Sequence, residues 1–78
     1  MITLTRDQLE QALVNKGYLD MRVEEMAPVT IITPRMRELY AAVYEVVFKP
    51  TMYDEPDADL RCRVYIEYEP NGRLIADF

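Results

Sequence analysis

The sequence predicts an α+β fold in which two helices pack on one face of a small antiparallel sheet that ends in a C-terminal β-hairpin. Three observations predict it: apolar and polar side chains alternate over residues 61–69, a turn motif follows at once, and two helix starts precede them. The chain has 78 residues, of which 50% are hydrophobic, and this is ample for a folded core. We therefore expect one small domain, residues 1–78.

The hairpin is the most sharply defined element. Its first strand carries four apolar side chains on one face, Cys62, Val64, Ile66 and Tyr68, as expected for a half-buried strand with a period of two. Pro70-Asn71-Gly72 then suits a three-residue loop, because proline presets φ and glycine takes a positive φ without strain. We predict Glu69 opposite Arg73, because a one-residue shift would mix the two faces. The inner-face pairs in this register are Tyr68–Leu74, Ile66–Ala76 and Val64–Phe78.

The first helix is predicted over about residues 6–16. Thr5 and Gln8 fit a capping box, in which their side chains satisfy backbone N–H groups at the helix start. Gly17 suits the left-handed cap at the helix end. The apolar stripe of this helix consists of Leu9, Ala12 and Leu13.

The segment after this helix has two interpretations. Leu19, Met21 and Val23 alternate with charged residues, which favours a strand over about residues 18–26. Leu19, Val23 and Met26 are also spaced as one helical face, but we favour the strand, and Pro28 ends it in either case. Residues 29–32 are β-branched, so they form either a brief buried strand or an extended connector.

The second helix is predicted to begin at Thr33-Pro34, where threonine is a good N-cap and proline is at its favoured first position. We expect it to continue to Pro50. One of its faces is then apolar, with Met36, Leu39, Tyr40, Val43 and Val47. Three further residues widen this face, Ala41, Tyr44 and Phe48, which predicts either burial on two sides or an exposed apolar patch. The β-branched pair Val46-Val47 favours extended structure in the final turn.

Composition excludes several kinds of chemistry. The chain has no histidine and one cysteine, so it lacks the usual ligands of a zinc site and the base of a histidine-containing triad. We predict no catalytic residue, no metal and no cofactor, and hence no enzyme. No apolar run approaches the length of a membrane span, and the first residues do not resemble a signal peptide. Cys62 is expected to be a small buried hydrophobe, and a lone thiol suits a reducing cytoplasm.

The net charge of −5 is concentrated in one short segment, because residues 51–60 contribute −4 and the remainder −1. Pro50 and Pro56 indicate that this segment is a loop. We predict that it presents Tyr53 and four carboxylates to a basic partner surface. The carboxylates are Asp54, Glu55, Asp57 and Asp59. The alternatives are a loop that only aids solubility and a calcium site, whose ligand spacing the loop does not follow.

The outward face of the hairpin is the second candidate site. It carries Tyr65 and Ile75 among four charged side chains, Arg63, Glu67, Arg73 and Asp77. An aromatic and an aliphatic residue ringed by charge are typical of a small protein-binding patch. The same residues also suit an ordinary sheet surface, and they would belong to the core if a further layer covered this face. Stacking of RNA bases on Tyr65 is opposed by the acidic balance, so we expect no direct binding of nucleic acid.

These features predict a small acidic cytoplasmic protein that binds another protein, as an adaptor or an inhibitor. The carboxylate loop would occupy a basic groove as a substitute for phosphate, in the manner of phage or mobile-element products that block host nucleic-acid machinery. The alternative is a structural module that forms a homodimer or larger homo-oligomer. Its contacts would be the wide apolar flank of the second helix or the edge of the hairpin.

Overall fold

The computed structural model describes residues 1–49 and 60–78, and this part of the chain contains two helices and a four-stranded antiparallel sheet. The helices are α1 (Arg6–Lys16) and α2 (Pro34–Leu39), and the strands are β1 (Val23–Pro28), β2 (Ala42–Phe48), β3 (Arg61–Tyr68) and β4 (Leu74–Asp77). The strand order is β1-β2-β3-β4, so each strand pairs with the next one along the chain. The predicted α+β fold with a C-terminal hairpin is confirmed.

The hairpin of β3 and β4 has the predicted register. Its ladder contains the pairs Tyr68–Leu74, Glu67–Ile75, Ile66–Ala76 and Tyr65–Asp77. The Glu69 N–H donates to the Arg73 carbonyl oxygen at 2.8 Å. Gly72 closes the turn with φ 86°, a left-handed conformation that costs glycine little. Phe78 lies beyond the end of β4, so the predicted Val64–Phe78 pair is not part of the ladder.

The first helix has the predicted bounds and caps. The Thr5 hydroxyl accepts from the Gln8 N–H, and the Gln8 side chain accepts from the Thr5 N–H, so the capping box is complete. Gly17 ends the helix with φ 117°, and its N–H donates to the carbonyl oxygens of Leu13 and Val14. Local sequence chemistry therefore accounts for both ends of α1.

The second helix is much shorter than predicted. It begins at Pro34 with the expected Thr33 cap, but it ends at Leu39, and residues 42–48 form β2. The prediction of a helix to Pro50 is therefore wrong. Five of the seven residues of β2 are valine, tyrosine or phenylalanine, which favour strands. Because β2 lies between β1 and β3, its backbone groups can find partners on both sides.

The segment before α2 holds one strand, as favoured, but the strand is shifted along the chain. β1 begins at Val23 rather than near residue 18, and its pairing with β2 has a bulge between Val23 and Glu25. Residues 29–32 lie outside the strands, so the interpretation as a connector holds. This connector is tied to the sheet at its start, where the Val29 N–H donates to the Val43 carbonyl oxygen at 2.9 Å.

The core lies between α1 and one face of the sheet, which we call the inner face. The residues of this core that have no exposed surface are Leu9, Leu13, Val23, Val46, Val64, Ile66 and Ala76. α2 contributes no buried residue. Tyr68 and Phe78, which are predicted on the inner face of the hairpin, are 57% and 49% exposed. The cover that α1 provides thus stops short of the ends of the hairpin.

Polar side chains of α1 reach both edges of the sheet. At the β1 edge, Glu10 Oε2 accepts from the Val23 N–H at 2.8 Å. At the β4 edge, Asn15 Nδ2 donates to the Leu74 carbonyl oxygen at 2.9 Å. One helix therefore packs on the inner face and also occupies edge groups that another strand would otherwise pair with.

Candidate partner-binding surfaces

The predicted acidic site lies outside the residues that the structure describes. It comprises Tyr53, Asp54, Glu55, Asp57 and Asp59. Along the chain this site follows β2 and precedes β3, and the pairing of these two strands extends to Val47 and Arg61. The segment that carries the −4 charge is thus joined at both ends to the two central strands of the sheet. Its role as a binding site stays a prediction.

The second predicted surface belongs to the outer face, which is the sheet face opposite α1. Tyr65 pairs with Asp77, and Ile75 pairs with Glu67. Tyr65 and Ile75 are therefore diagonal neighbours on one face, as predicted. Both are half-buried, so they are neither core residues nor fully solvated. Their part in binding a partner stays a prediction.

One aromatic side chain from outside the sheet packs on this surface. The rings of Tyr40 and Tyr65 have centroids 4.9 Å apart and are tilted by 41°. Tyr40 is the C-cap of α2, so this contact holds the end of the helix against the outer face. Val43 pairs with Tyr65 and is 1% exposed. These three residues form a second apolar cluster, which is separate from the core beneath α1.

The charged side chains of the outer face and the turn form ion pairs. Arg63 Nε lies 3.7 Å from Glu45 Oε1, and Arg73 Nη2 lies 2.8 Å from Glu69 Oε1. Exposed pairs of this kind contribute little to stability and are screened by salt. Their effect here is to balance charge around Tyr65 and Ile75.

A groove of about 740 Å³ opens at the end of the sheet where β1 ends and β2 begins, and we call it the sheet-end groove. The N-terminal residues, the connector before α2, the start of β2 and the end of β3 all contribute to it. Its lining includes Ile2, Val29, Ile32, Arg37, Tyr40 and Tyr68. The volume lies within the range of clefts that bind ligands, which is about 300–1,000 Å³.

Two hydrogen bonds hold the N-terminal segment along the start of β2. The Ile2 N–H donates to the Ala41 carbonyl oxygen at 2.9 Å. The Leu4 N–H donates to the Tyr44 hydroxyl, also at 2.9 Å, and this bond is buried. The sheet-end groove is therefore built by long-range contacts within the chain.

Large apolar side chains are exposed at this groove and beside it. Among the lining residues, Tyr68 is 57% and Met1 is 56% exposed. Next to lining residues in the sequence, Ile31 is 93% and Leu39 is 52% exposed. A group of exposed apolar side chains is typical of a site that contacts another molecule.

The charge of the groove is opposite in sign to that of the whole chain. Arg37 is the only lysine, arginine, aspartate or glutamate among the described residues that line it. Its guanidinium has no ion-pair or hydrogen-bond partner within residues 1–49 and 60–78. The sheet-end groove thus combines an apolar surface with one guanidinium that can receive a carboxylate.

The chemistry of the remaining side chains is simple. Cys62 is half-buried against the core, and burial raises the pKa of its thiol above the usual range, which keeps it protonated near neutral pH. Within the described ranges, no cluster of three or more histidine, cysteine, aspartate or glutamate side chains could hold a metal ion. No helix in that part of the chain is long and apolar enough to cross a membrane.

The sheet-end groove is not among the sites that the sequence predicts. The prediction of one helix to Pro50 placed Tyr40 and Val43 on a single helical face, whereas the chain turns from α2 into β2 between these residues. A signal for the strand was nevertheless present. Apolar residues alternate along the inner side of β2, at Ala42, Tyr44, Val46 and Phe48.

No protein-family model matches the chain, and no significant match was found among curated proteins or among solved structures. The acidic segment, the outer face and the sheet-end groove are therefore the features from which a function can be proposed.

Proposed function

We propose that this chain is a small protein-binding module, an adaptor or an inhibitor without catalytic activity of its own. The observation that carries the proposal is the distribution of charge: residues 51–60 carry −4, and the rest of the chain carries −1. Because these residues connect the two central strands, a partner that bound them would engage the chain next to its most extensively paired elements.

The partner suited to this segment is a protein with a basic surface. Four carboxylates within residues 54–59 resemble a run of phosphates in charge, so a groove built for a nucleic-acid backbone would attract them. The proposed action is to occupy such a groove in the cytoplasm, as phage and mobile-element antagonists do. Tyr53, beside these carboxylates, would add an apolar anchor.

The test is a comparison of two variants with the same change in net charge. In the first, all four acidic residues of the segment are neutralised, by Asp54→Asn, Glu55→Gln, Asp57→Asn and Asp59→Asn. In the control, four exposed acidic residues elsewhere are neutralised, by Asp20→Asn, Glu24→Gln, Glu25→Gln and Glu38→Gln. A partner captured from host lysate should bind the control and not the first variant, and its binding should weaken as salt rises. Binding that is insensitive to salt and equal for both variants would refute the proposal.

A second function is favoured by a separate observation, the exposed apolar side chains at the sheet-end groove. They suit a module that associates with further copies of itself. The helical flank predicted for this purpose does not exist as such, because Tyr44 and Phe48 lie in β2 and are each 3% exposed. The groove is the better candidate for the contact. Sedimentation velocity across a wide range of protein concentration tests self-association directly.

A further inference from the structure

We propose that the sheet-end groove binds residues 52–55 of a second copy of this chain. Tyr53 of one copy would lie among the apolar side chains of the groove, and Asp54 and Glu55 would face Arg37 of the other copy. This inference rests on the second proposed function, self-association, and names the contact that produces it.

The apolar part of the contact follows from composition on both sides. The groove offers Val29, Ile32 and Tyr68 in a lining that is otherwise mostly apolar or aromatic. The segment offers Met52 and Tyr53, which are adjacent in the sequence. An aromatic side chain in an apolar cleft is a common anchor of protein interfaces, because it buries a large area at a small cost in conformational entropy.

The polar part follows from charge. The Arg37 guanidinium has no partner within the described residues, and no aspartate or glutamate among them lines the groove. The sequence places Asp54 and Glu55 directly after Tyr53. An apolar anchor followed by two carboxylates is thus complementary to an apolar groove that contains one guanidinium, and an arginine can hold a carboxylate through two hydrogen bonds.

The reach of the chain favours a contact between copies over a contact within one chain. The Lys49 N–H donates to the Arg22 carbonyl oxygen at 2.8 Å, so the chain continues past Phe48 in the direction away from the groove. Tyr44 is the lining residue of β2 nearest to this end and lies five residues before Lys49, a distance of about 16 Å at the usual rise of a strand. Tyr53 lies four residues after Lys49, and these span at most about 14 Å when fully extended. The Tyr53 backbone therefore falls short of the groove of its own chain.

The groove lies at the start of β2 and the acidic segment follows its end, which suggests a closed dimer. If two copies lie side by side with their β2 strands antiparallel, the acidic segment of each lies next to the groove of the other. The same contact then forms twice around a two-fold axis, as in most homodimers. We accordingly expect a dimer with two equivalent contacts.

The first experiment measures the dimer dissociation constant by sedimentation. Arg37→Glu should weaken the dimer by about five- to thirtyfold, because it places like charges together in both contacts. Arg35→Glu is the matched control: it makes the same charge change on the same helix, and Arg35 does not line the groove. Tyr68→Ser should also weaken the dimer, whereas Leu19→Ser, at a residue that is 68% exposed and remote from the groove in the fold, should not.

The second experiment exchanges the charges. Neither Arg37→Glu nor the double variant Asp54→Lys/Glu55→Lys should dimerise well alone, but an equimolar mixture of the two should form a heterodimer. One contact of that heterodimer pairs Glu at 37 with Lys at 54 and 55, and the other is the native contact. A synthetic peptide of residues 50–60 should compete with the native dimer and perturb the NMR signals of Val29, Ile32 and Arg37.

The outcomes separate this inference from the proposed self-association. A protein that stays monomeric at high concentration overturns both. A dimer that is equally stable with Arg37→Glu and Arg35→Glu, and that the peptide does not dissociate, overturns the contact while self-association stands. Binding of the peptide by a lysate partner alone, with no dimer in the purified protein, also overturns the inference.

Discussion

The Tyr18 hydroxyl donates a hydrogen bond of 2.8 Å to Asp77 Oδ1, and so joins the chain just after α1 to the last residue of β4. Lys16 Nζ lies 3.7 Å from the other carboxylate oxygen. The hydrogen bond between Tyr18 and Asp77 raises the pKa of Tyr18 above its ordinary value of 10.0. The same bond, together with the Phe78 N–H and Lys16, lowers the pKa of Asp77 below 3.8. The two shifts define the pH range over which the contact stabilises the fold.

We predict that Tyr18→Phe lowers stability by a constant amount near neutral pH, and that the difference from the native chain shrinks at both extremes. The contribution of Asp77 is present above its unfolded pKa, about 3.8, and is lost as pH falls through the lowered folded value. The contribution of Tyr18 is present below 10.0 and is lost as pH rises through the raised folded value. Urea titrations from pH 2.5 to 11 measure both, with Tyr68→Phe as the control. A difference that does not change with pH would contradict the assignment.

Tyr44→Phe should destabilise the chain more than the loss of one surface hydroxyl. The Tyr44 hydroxyl accepts from the Leu4 N–H in a buried bond of 2.9 Å, so the variant leaves a buried donor without a partner. We expect a loss of about 1–3 kcal/mol in the free energy of unfolding. Tyr68→Phe, at a residue that is 57% exposed, should change it by no more than about 0.5 kcal/mol. Chemical denaturation compares the two, and equal values would show that the N-terminal segment is not held as described.

Two isoleucines of the hairpin test which face of the sheet α1 covers. Ile66 is wholly buried on the inner face, and Ile66→Ala should cost about 2–5 kcal/mol because it leaves a cavity in the core. Ile75 is half-buried on the outer face, and Ile75→Ala should cost about 1 kcal/mol. Equilibrium unfolding of both variants measures the two losses in the free energy of unfolding. If the two costs were equal, a further layer would have to cover the outer face.

Loss of the hydrogen bonds between α1 and the two edge strands, β1 and β4, should both destabilise the chain and promote aggregation. Glu10→Ala removes the carboxylate that accepts from the Val23 N–H at 2.8 Å, and we expect a cost of about 1–2 kcal/mol. Asn15→Ala exposes the Leu74 carbonyl oxygen at the other edge. Glu10→Gln is the control, because it keeps an acceptor in place. Light scattering during thermal unfolding should show earlier aggregation for the two alanine variants than for the control.

Much of the candidate site was beyond sequence analysis for a definable reason. The acidic segment can be recognised in the sequence because its four carboxylates are close together along the chain. The sheet-end groove cannot be recognised in this way, because its lining comes from segments that are far apart in the sequence. These are the N-terminal residues, the connector before α2, the start of β2 and the end of β3. The role of Arg37 depends on this assembly, since nothing local distinguishes it from Arg35 two residues earlier.

α1 and the hairpin of β3 and β4 could be predicted from the amino-acid sequence alone. Both depend on local chemistry: the Thr5 and Gln8 capping box, the left-handed Gly17, and strict alternation that ends in Pro70-Asn71-Gly72. Residues within a few positions of each other satisfy these preferences, so no distant contact is needed to specify them.

The secondary structure of residues 42–48, in contrast, depends on long-range contacts. Their apolar side chains fit a helical face and a strand almost equally well, so periodicity does not distinguish the two structures. As β2, they gain hydrogen-bonding partners from β1 on one side and β3 on the other, and they place Tyr44 and Val46 beneath α1. A central strand pairs both of its edges and places one face in the core, and these long-range contacts favour β2 over a continuation of α2. That choice also opens the sheet-end groove, since β2 begins where α2 ends.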